Sequence, residues 1–596
     1  MRAHLPGRPT AVSLSVALLG LALSGPAAAL DQPEAATRRA AKQDQLQAPA
    51  RRFAVSAANP LAVDAGVEIL KAGGSAFDAV VAVQAVLGLV EPQSSGIAGG
   101  AFLLHWDGRQ VQAWDGRETA PAAATPELFL QPDGRPLPFR DAVMSGLSTG
   151  TPGVLAMLAA GHQAHGRLPW ARLFEPAIRL ATQGFAISPR LHDLFAAEAA
   201  LRRDPQAASY FFDADGAPKP VGTVLKNPAY AAVLRAVARD GVKAFYEGAV
   251  AEDIVRRVQA QARPGQLTRA DLAGYRALQR PPLCSDWRDY RVCGFGPPSS
   301  GQLTVMQILG LLDTQPAARA ARGLSADWLH AYAEAAKLAF ADRAEYIADP
   351  AFVSAPGGDW HNLLAPDYLR ERGRLIGERA TARASAGRPG GAKQAYAAQP
   401  EQVEHGTSQV SVVDAQGHAV SMTTSVESAF GSRVMSDGGT GLAGGFFLNN
   451  QLTDFSFTPV GADGRPVANR VEPGKRPRSS MAPTLVFDRQ GRLLMAGGSP
   501  GGAVIIHYVA KLLTGTLAWG LSAQQAVDLP NFGEFNSGSL LLEPGTLDAD
   551  GLAALRARGH RVVETDLTSG LQVLMRVPGG WVGGADPRRE GVVRGE

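Results

Sequence analysis

Apolar and polar positions along this chain sort into a few clear patterns. Behind Ser75, a residue suited to capping, Ala, Val and Leu run nearly all round a helical wheel to about Leu89. That pattern predicts a helix buried on every side. Just before it, Asn59 can cap a helix with Pro60 at its first position, and Gly73-Gly74 closes that helix. Residues 327–346 place Leu329, Tyr332, Ala336, Leu338 and Phe340 among charges, which predicts an amphipathic helix. The stretch 152–349 reads as mainly helical.

Strand patterns come in pairs around turn residues. Residues 101–106 and 110–114 flank Asp107-Gly108, 408–413 and 419–425 flank Gln416-Gly417, and 484–487 and 493–496 flank Gln490-Gly491. Residues 380–404 are rich in Ala, Gly, Gln and Arg with few apolar anchors, and read as an exposed loop. Residues 30–52 read as a flexible polar stretch. No solenoid-type repeat occurs. Helical layers around antiparallel hairpins predict stacked sheets covered by helices, an α/β class.

The first residues carry the pattern of a signal peptide. Arg2 and Arg8 make a positive start, residues 11–23 are apolar and uncharged, and Ala27-Ala28-Ala29 offers a small-residue cleavage site. The apolar run is shorter than the roughly 20 residues needed to span a bilayer, although a short uncleaved anchor is the other reading. No later segment reads as transmembrane. The expectation is a segment 1–29 that is removed and a periplasmic or secreted mature chain.

With 45% hydrophobic and 19% charged residues the chain has ample material for a core. The formal charge is +3, and loss of Arg2 and Arg8 leaves it near neutrality. Nothing in that balance calls for nucleic acid or an anionic membrane as partner. The two cysteines, Cys284 and Cys293, lie in a strand–turn–strand stretch. If Arg288-Asp289 is a two-residue turn, they stand opposite each other as a non-hydrogen-bonded pair. In an exported chain they form either a disulfide or two buried thiols.

The chemistry concentrates at Gly406-Thr407, where a threonine opens a strand directly after the loop. A threonine hydroxyl needs a base beside it to become a nucleophile. Cutting the chain before Thr407 would create one, because the new α-amine, with an ordinary pKa of about 7.7–8.0, sits within reach of its own hydroxyl. Read alone, the same residues are also an ordinary strand start.

The surrounding motifs favour the first reading. They are 66–79 (GVEILKAGGSAFDA), Glu91-Pro92-Gln93, Leu168-Pro169-Trp170, Glu175-Pro176-Ala177-Ile178, 339–346 (AFADRAEY), 448–455 (LNNQLTDF), 475–481 (KRPRSSM) and 498–502 (GSPGG). In this order they resemble the gamma-glutamyltransferase family over about 53–587. The resemblance implies an N-terminal-nucleophile hydrolase. Its fold would be a four-layer αββα sandwich of mainly antiparallel sheets, built jointly by fragments 30–406 and 407–596 after self-cleavage. It implies a gamma-glutamyl hydrolase and transpeptidase acting on glutathione-like compounds, with water, amino acids or peptides as acceptors and no cofactor.

The resemblance also implies roles. Thr407 is the nucleophile and Ser425 a supporting hydroxyl. Gly501 and Gly502 form the oxyanion hole. Arg117, Ser479 and Ser480 receive the substrate α-carboxylate, while Gln451, Asp454 and Glu427 receive its ammonium. Read bare, these would be surface, cap, turn or strand residues. The chain also departs from the family pattern. Gln409 stands where many relatives have histidine, and Glu427 where many have asparagine. Residues 436–444 look like a small insertion near the pocket. Residues 456–474, the lid region, are shorter than in long-lid members and lack tyrosine.

Other signals are weaker. His162 and His165 on a helix lack a third metal ligand, so no metal is expected. The 96–100 loop lacks the Lys-Ser/Thr of a phosphate loop. Two alternatives to the glutamyl enzyme stand. A cephalosporin or glutaryl acylase would share the nucleophile, but its substrate lacks the amine that Asp454 and Glu427 would meet. A non-catalytic periplasmic binding protein would leave the loop–Thr407–strand arrangement without a purpose.

Overall fold

The structure, a computed structural model, describes residues 48–400 and 406–596, together with Met1 and Leu46. The positive start, apolar run and small-residue site all lie outside the described residues, as does most of 30–52. Where that stretch is described, it is tied down. Ala50 and Trp581 exchange two backbone hydrogen bonds of 2.8 Å, and Phe53 is buried. The expectation of a loose chain up to Arg52 is corrected accordingly.

The early helices form where their caps lie. Helix α1 (Pro60–Lys71) starts with the Leu61 N–H donating to Asn59 Oδ1 at 2.9 Å. Helix α2 (Ala76–Val90) starts with a reciprocal box, Asp78 N–H to Ser75 Oγ at 3.1 Å and Ser75 N–H to Asp78 Oδ2 at 2.8 Å. Every residue of α2 is buried, as its pattern predicts.

Two sheets form the centre. The first takes β1 (Ala54–Ala57), β2 (Gly100–Trp106), β3 (Val111–Asp115) and β4 (Leu278–Arg280) from before residue 406. The second begins with the hairpin β5 (Leu283–Trp287) and β6 (Tyr290–Gly294). From beyond residue 406, β7 (Ser408–Val413) and β8 (Ala419–Ser425) join the first sheet. Strands β9 (Thr484–Phe487), β10 (Leu493–Gly498), β11 (Gln572–Val577) and β12 (Gly580–Ala585) join the second, and β13 (Val592–Gly595) returns to the first. The spatial orders are β13-β1-β7-β8-β2-β3-β4 and β12-β11-β10-β9-β6-β5, antiparallel throughout. Both sheets therefore mix strands from the two sides of Gly406-Thr407.

The sheets stack on each other through β7, β8 and β1 against β10 and β11. Helices α1 and α2 cover the first sheet. Helices α3 (Gly301–Asp313), α5 (Ile505–Leu513) and α6 (Ala523–Asp528) cover the second. The result is the expected four-layer αββα sandwich. The intervening helix α4 (Ala326–Tyr346) packs on α3. It is not amphipathic: its charged residues Glu334, Lys337, Asp342, Arg343 and Glu345 are buried with its apolar ones. Internal pairing makes this tolerable, as in Lys337 Nζ to Glu334 at 2.7 Å and Gln307 Nε2 to Asp342 at 2.5 Å.

The β5–β6 hairpin turns at Arg288-Asp289, with Trp287 opposite Tyr290, which meets the condition for the two cysteines to stand opposite each other. That register sets Cys284 against Cys293 with Cα atoms 4.0 Å apart and the sulfurs bonded. Residues 380–400 are mostly exposed, pinned by buried Pro389, Ala392, Ala397 and Gln399; the rest of that loop up to Gly406 lies outside the described residues. Among the described residues no helix is long and apolar enough to cross a membrane.

Candidate active site

Strand β7 lies in the interior of its sheet, paired with β8 from Ser408 on and with β1 from Val410 on. Thr407, immediately before it, is 2% exposed and lies at the junction with Gly406. Its Oγ1 lies 3.3 Å from Ser425 Oγ at the end of β8, and Ser425 Oγ in turn accepts the Glu427 N–H at 2.9 Å. The Thr407 carbonyl accepts Arg589 Nη1 at 2.9 Å.

The junction is strained. Gly406 has φ 69° and Thr407 φ 118°. For a β-branched residue the latter is an outlier, of the kind that costs about 1–3 kcal/mol. Gly406 has no room for a side chain, since a Cβ there would stand 1.5 Å from the Glu427 carbonyl oxygen.

Across from this junction lies the glycine turn after β10. Gly501 (φ 134°) and Gly502 (φ 58°) adopt conformations that L side chains avoid. In them the Gly501 N–H points at the Gly406 carbonyl oxygen, 3.4 Å away. The turn leads into a short 3-10 segment (Gly502–Val504) and then α5, so the N–H groups of its first residues lie at the same end. Such a group of donors is suited to an oxyanion.

Beside Thr407 a small cavity is lined by Arg117, Ser425, Gln451, Asp454, Ser479, Ser480, Met481, Gly502 and Ile505. Arg117 is 1% exposed and crosses to Asp454, forming a buried ion pair. Its Nε donates to the Pro477 carbonyl at 3.1 Å and its Nη2 to the Arg478 carbonyl at 3.0 Å. Gln451 Nε2 donates to the same Asp454 oxygen at 2.7 Å. A fixed cation and a fixed anion thus lie side by side beside the nucleophile. That charge pattern suits a ligand carrying a carboxylate and an ammonium on one carbon.

Ser479 Oγ accepts the Met481 N–H at 3.1 Å, and Ser480 Oγ accepts Arg343 Nη2 at 2.7 Å. Next to Arg117, Glu118 is fully buried, with neither carboxyl oxygen hydrogen-bonded among the described residues. Burial pushes its pKa up to about 8 against the pull of Arg117, so it holds a proton at neutral pH.

Most of the sequence-derived site residues therefore converge on one cavity, and the rest do not line it. Glu427 does not; its Oε2 accepts Ser428 Oγ at 2.7 Å, Thr453 Oγ1 at 3.3 Å and the Asn450 amide. Gln409 lies between the sheets, bonded to Ser421 and Thr423. Residues 436–444 are not at the pocket as expected: Ser436 Oγ donates to Asp253 at 2.6 Å, Gly438 packs near Val233 and Val250, and the Ala443 carbonyl accepts the Ala229 N–H at 3.1 Å. No residue of 456–474 lines the cavity either, although Asn469 Nδ2 holds the Asp454 carbonyl at 2.7 Å. His162 is bonded to the Leu168 carbonyl at 2.9 Å.

Sequence reasoning assigned no role to Asn450, Arg343 or Arg589. Asn450 and Arg343 fall inside motifs already singled out, 448–455 and 339–346, which was the available signal.

The gamma-glutamyltranspeptidase family model matches residues 62–595. A glutathione hydrolase proenzyme of Escherichia coli (strain K12) is 34% identical over 551 residues, covering 90% of this chain and 91% of its own. An acylase ACY 1 proenzyme of Pseudomonas sp. (strain V22) is 33% identical, covering 88% of this chain and 90% of its own. Among solved structures, a cephalosporin acylase from Bacillus halodurans superposes with TM-score 0.77 at 26% identity, over 94% of this chain and 98% of its own.

Proposed function

The chain belongs to the gamma-glutamyltranspeptidase family, and from that premise we propose how its residues divide the work. It is a gamma-glutamyl hydrolase and transpeptidase of the N-terminal-nucleophile type, processed into two subunits and acting on glutathione-type amides.

Processing falls at Gly406-Thr407, giving fragments 30–406 and 407–596. Thr407 Oγ1 attacks the Gly406 carbonyl carbon. The C–N bond breaks as the departing nitrogen takes a proton, leaving the Gly406 acyl group as an ester on Oγ1. Water hydrolyses the ester and frees the Thr407 hydroxyl, the α-amine having been released when the C–N bond broke. The observation that carries this reading is the Gly501 N–H held on the Gly406 carbonyl, with a strained Thr407 on the other side of the bond.

The mature site then repeats the chemistry on substrate. The neutral amine takes the hydroxyl proton, Oγ1 attacks the γ-carbonyl, and the N–H groups of Gly501 and Gly502 stabilise the oxyanion. The leaving amine departs with a proton from the Thr407 ammonium. Water, an amino acid or a peptide takes the acyl group from the ester. Arg117, Ser479 and Ser480 hold the α-carboxylate, and Asp454 with Gln451 holds the ammonium. Glu427 acts through Asn450 and Thr453. The charge pattern at residues 1–29 supports a periplasmic or secreted destination.

The acylase relatives make a glutaryl-type acylase the second reading. The Arg117–Asp454 pair favours the glutamyl one, because a substrate without an amine gives Asp454 nothing to bind. Comparing gamma-glutamyl and glutaryl anilides on purified mature protein decides between them. A preference for the glutaryl compound would reverse the assignment.

A further inference from the structure

We propose that Arg589 is a positioning residue for the nucleophile, whose guanidinium holds the Thr407 carbonyl and biases the freed Thr407 amine towards its neutral, base-competent form. The inference rests on the reading of Thr407 as the processed N-terminus and deepens it.

Arg589 lies in the turn between β12 and β13, where its N–H bonds the Asp586 carbonyl at 3.2 Å. It is 2% exposed. The fold leaves room for it: a Cβ on Gly570 would stand 2.7 Å from Arg589 Cδ and Nε. Taking a guanidinium out of water is costly, so its placement calls for a compensating role. Its Nη1 reaches the Thr407 carbonyl at 2.9 Å. That carbonyl is on the same Cα as the future amine, three bonds away. The hydrogen bond fixes the residue that must attack, and the charge beside it opposes formation of an ammonium. Burial pushes the Arg589 pKa down only to about 9, so the group is a cation at neutral pH.

Other charges face this position from each neighbouring element. Ser408 Oγ donates to Glu91 Oε2 at 3.1 Å, and the other Glu91 oxygen lies 3.7 Å from Arg190 Nε. The Arg190 N–H donates to Glu590 at 3.1 Å. Asp586 is held by Ser569 and Arg588. Glu427 is held by Ser428, Asn450 and Thr453, and Asp454 by Arg117. Arg343 reaches the site through Ser480. Among the described residues each of these acids accepts from a donor named above, and Arg589 Nη1 addresses the nucleophile residue directly.

The test is the pH profile of kcat/KM on a gamma-glutamyl anilide. In the wild type, the acid limb should fall below the roughly 7.7–8.0 of an ordinary α-amine. Arg589→Gln keeps a donor for the carbonyl but removes the charge. It should move that limb up by about one pH unit, with kcat/KM about tenfold lower at pH 6.5 and little changed at high pH. Arg589→Lys should keep the wild-type limb. A wild-type limb at or above 8 overturns the proposal, whether or not the variants fold. So does an unmoved limb in processed Arg589→Gln, or an equal shift in Arg589→Lys. Fragment masses are read in parallel. A wild-type chain not cut before Thr407 sinks the nucleophile reading itself, whereas cutting with an unmoved limb sinks only the role of Arg589.

Discussion

The Gly501 N–H lies 3.4 Å from the Gly406 carbonyl oxygen, so the donors that would serve a substrate oxyanion already address the chain's own peptide bond. Thr407→Ala removes the attacking hydroxyl and should leave one uncut chain, seen as a single mass. Gly501→Ala should slow cutting on the order of a hundredfold or more, because the new Cβ would press 2.6 Å from the Tyr508 ring and displace the donor. Normal cutting in Thr407→Ala would end the self-processing account.

The serine of the site is itself held from behind. Arg343 donates to Ser480 Oγ at 2.7 Å and to Ser300 Oγ at 2.8 Å, and Ser300 Oγ donates to the Ser479 carbonyl at 2.7 Å. Loss of the guanidinium in Arg343→Met should loosen the carboxylate seat, raising KM about tenfold with a smaller effect on kcat. Steady-state kinetics on a processed variant checks this. A fall confined to kcat would place Arg343 elsewhere in the mechanism.

Strand pairing and capping were legible because they are local. Asn59, Ser75, Asp107-Gly108 and Arg288-Asp289 each act within a few residues. The family motifs marked the cavity residues in the same way. Arg589 was not legible, because its partner lies 182 residues away and nothing in a short window separates it from a surface arginine; Arg343 stood in the 339–346 motif, but its role was hidden because its partner lies 137 residues away. Helix α4 was misjudged for the same reason: its charges looked solvated, but the Thr381 N–H donates to Glu334, Lys337 donates to the Thr381 carbonyl, and Gln307 and Tyr368 donate to Asp342.

The cysteine pair gives a simpler expectation. Cys284 and Cys293 face each other across a short hairpin. Denatured, unreduced protein should show no free thiol by labelling. Replacing both with serine should cost about 2 kcal/mol, because the closed loop is short. Two reactive thiols would show that the bond is absent.

Acid should destabilise the protein through His507. This ring is buried, accepts the Glu534 N–H on Nε2 at 3.3 Å and meets the Tyr332 hydroxyl at 2.8 Å through Nδ1. A second ring proton would collide with the Glu534 N–H, and burial pushes the pKa down to about 3 from 6.5. Below 6.5 the unfolded chain binds a proton that the folded one refuses, so stability falls as pH drops towards 3. Between pH 6.5 and 5 this single group should cost about 2 kcal/mol. Urea unfolding of the single-chain Thr407→Ala form, with and without His507→Gln, isolates it. Equal pH slopes would contradict a neutral buried His507.

The Arg117–Asp454 pair makes the sharpest claim about substrate. Both side chains are buried, and each neutralises the other. Removing one of them leaves a substrate charge desolvated and unpaired, which costs about 2–5 kcal/mol of binding. Arg117→Ala and Asp454→Ala should each lower kcat/KM on a gamma-glutamyl anilide by about 30-fold or more, since roughly 1.36 kcal/mol is tenfold. Selectivity should separate the two. Arg117→Ala should lose its preference over analogues lacking the α-carboxylate, and Asp454→Ala its preference over glutaryl analogues lacking the amine. The double variant should lose less than the sum of the singles, because the two charges interact directly. Each variant that folds should still cut itself, because Thr407, Gly406 and Gly501 are untouched. Wild-type kcat/KM in both processed single variants would remove the basis for reading this cavity as a glutamyl site.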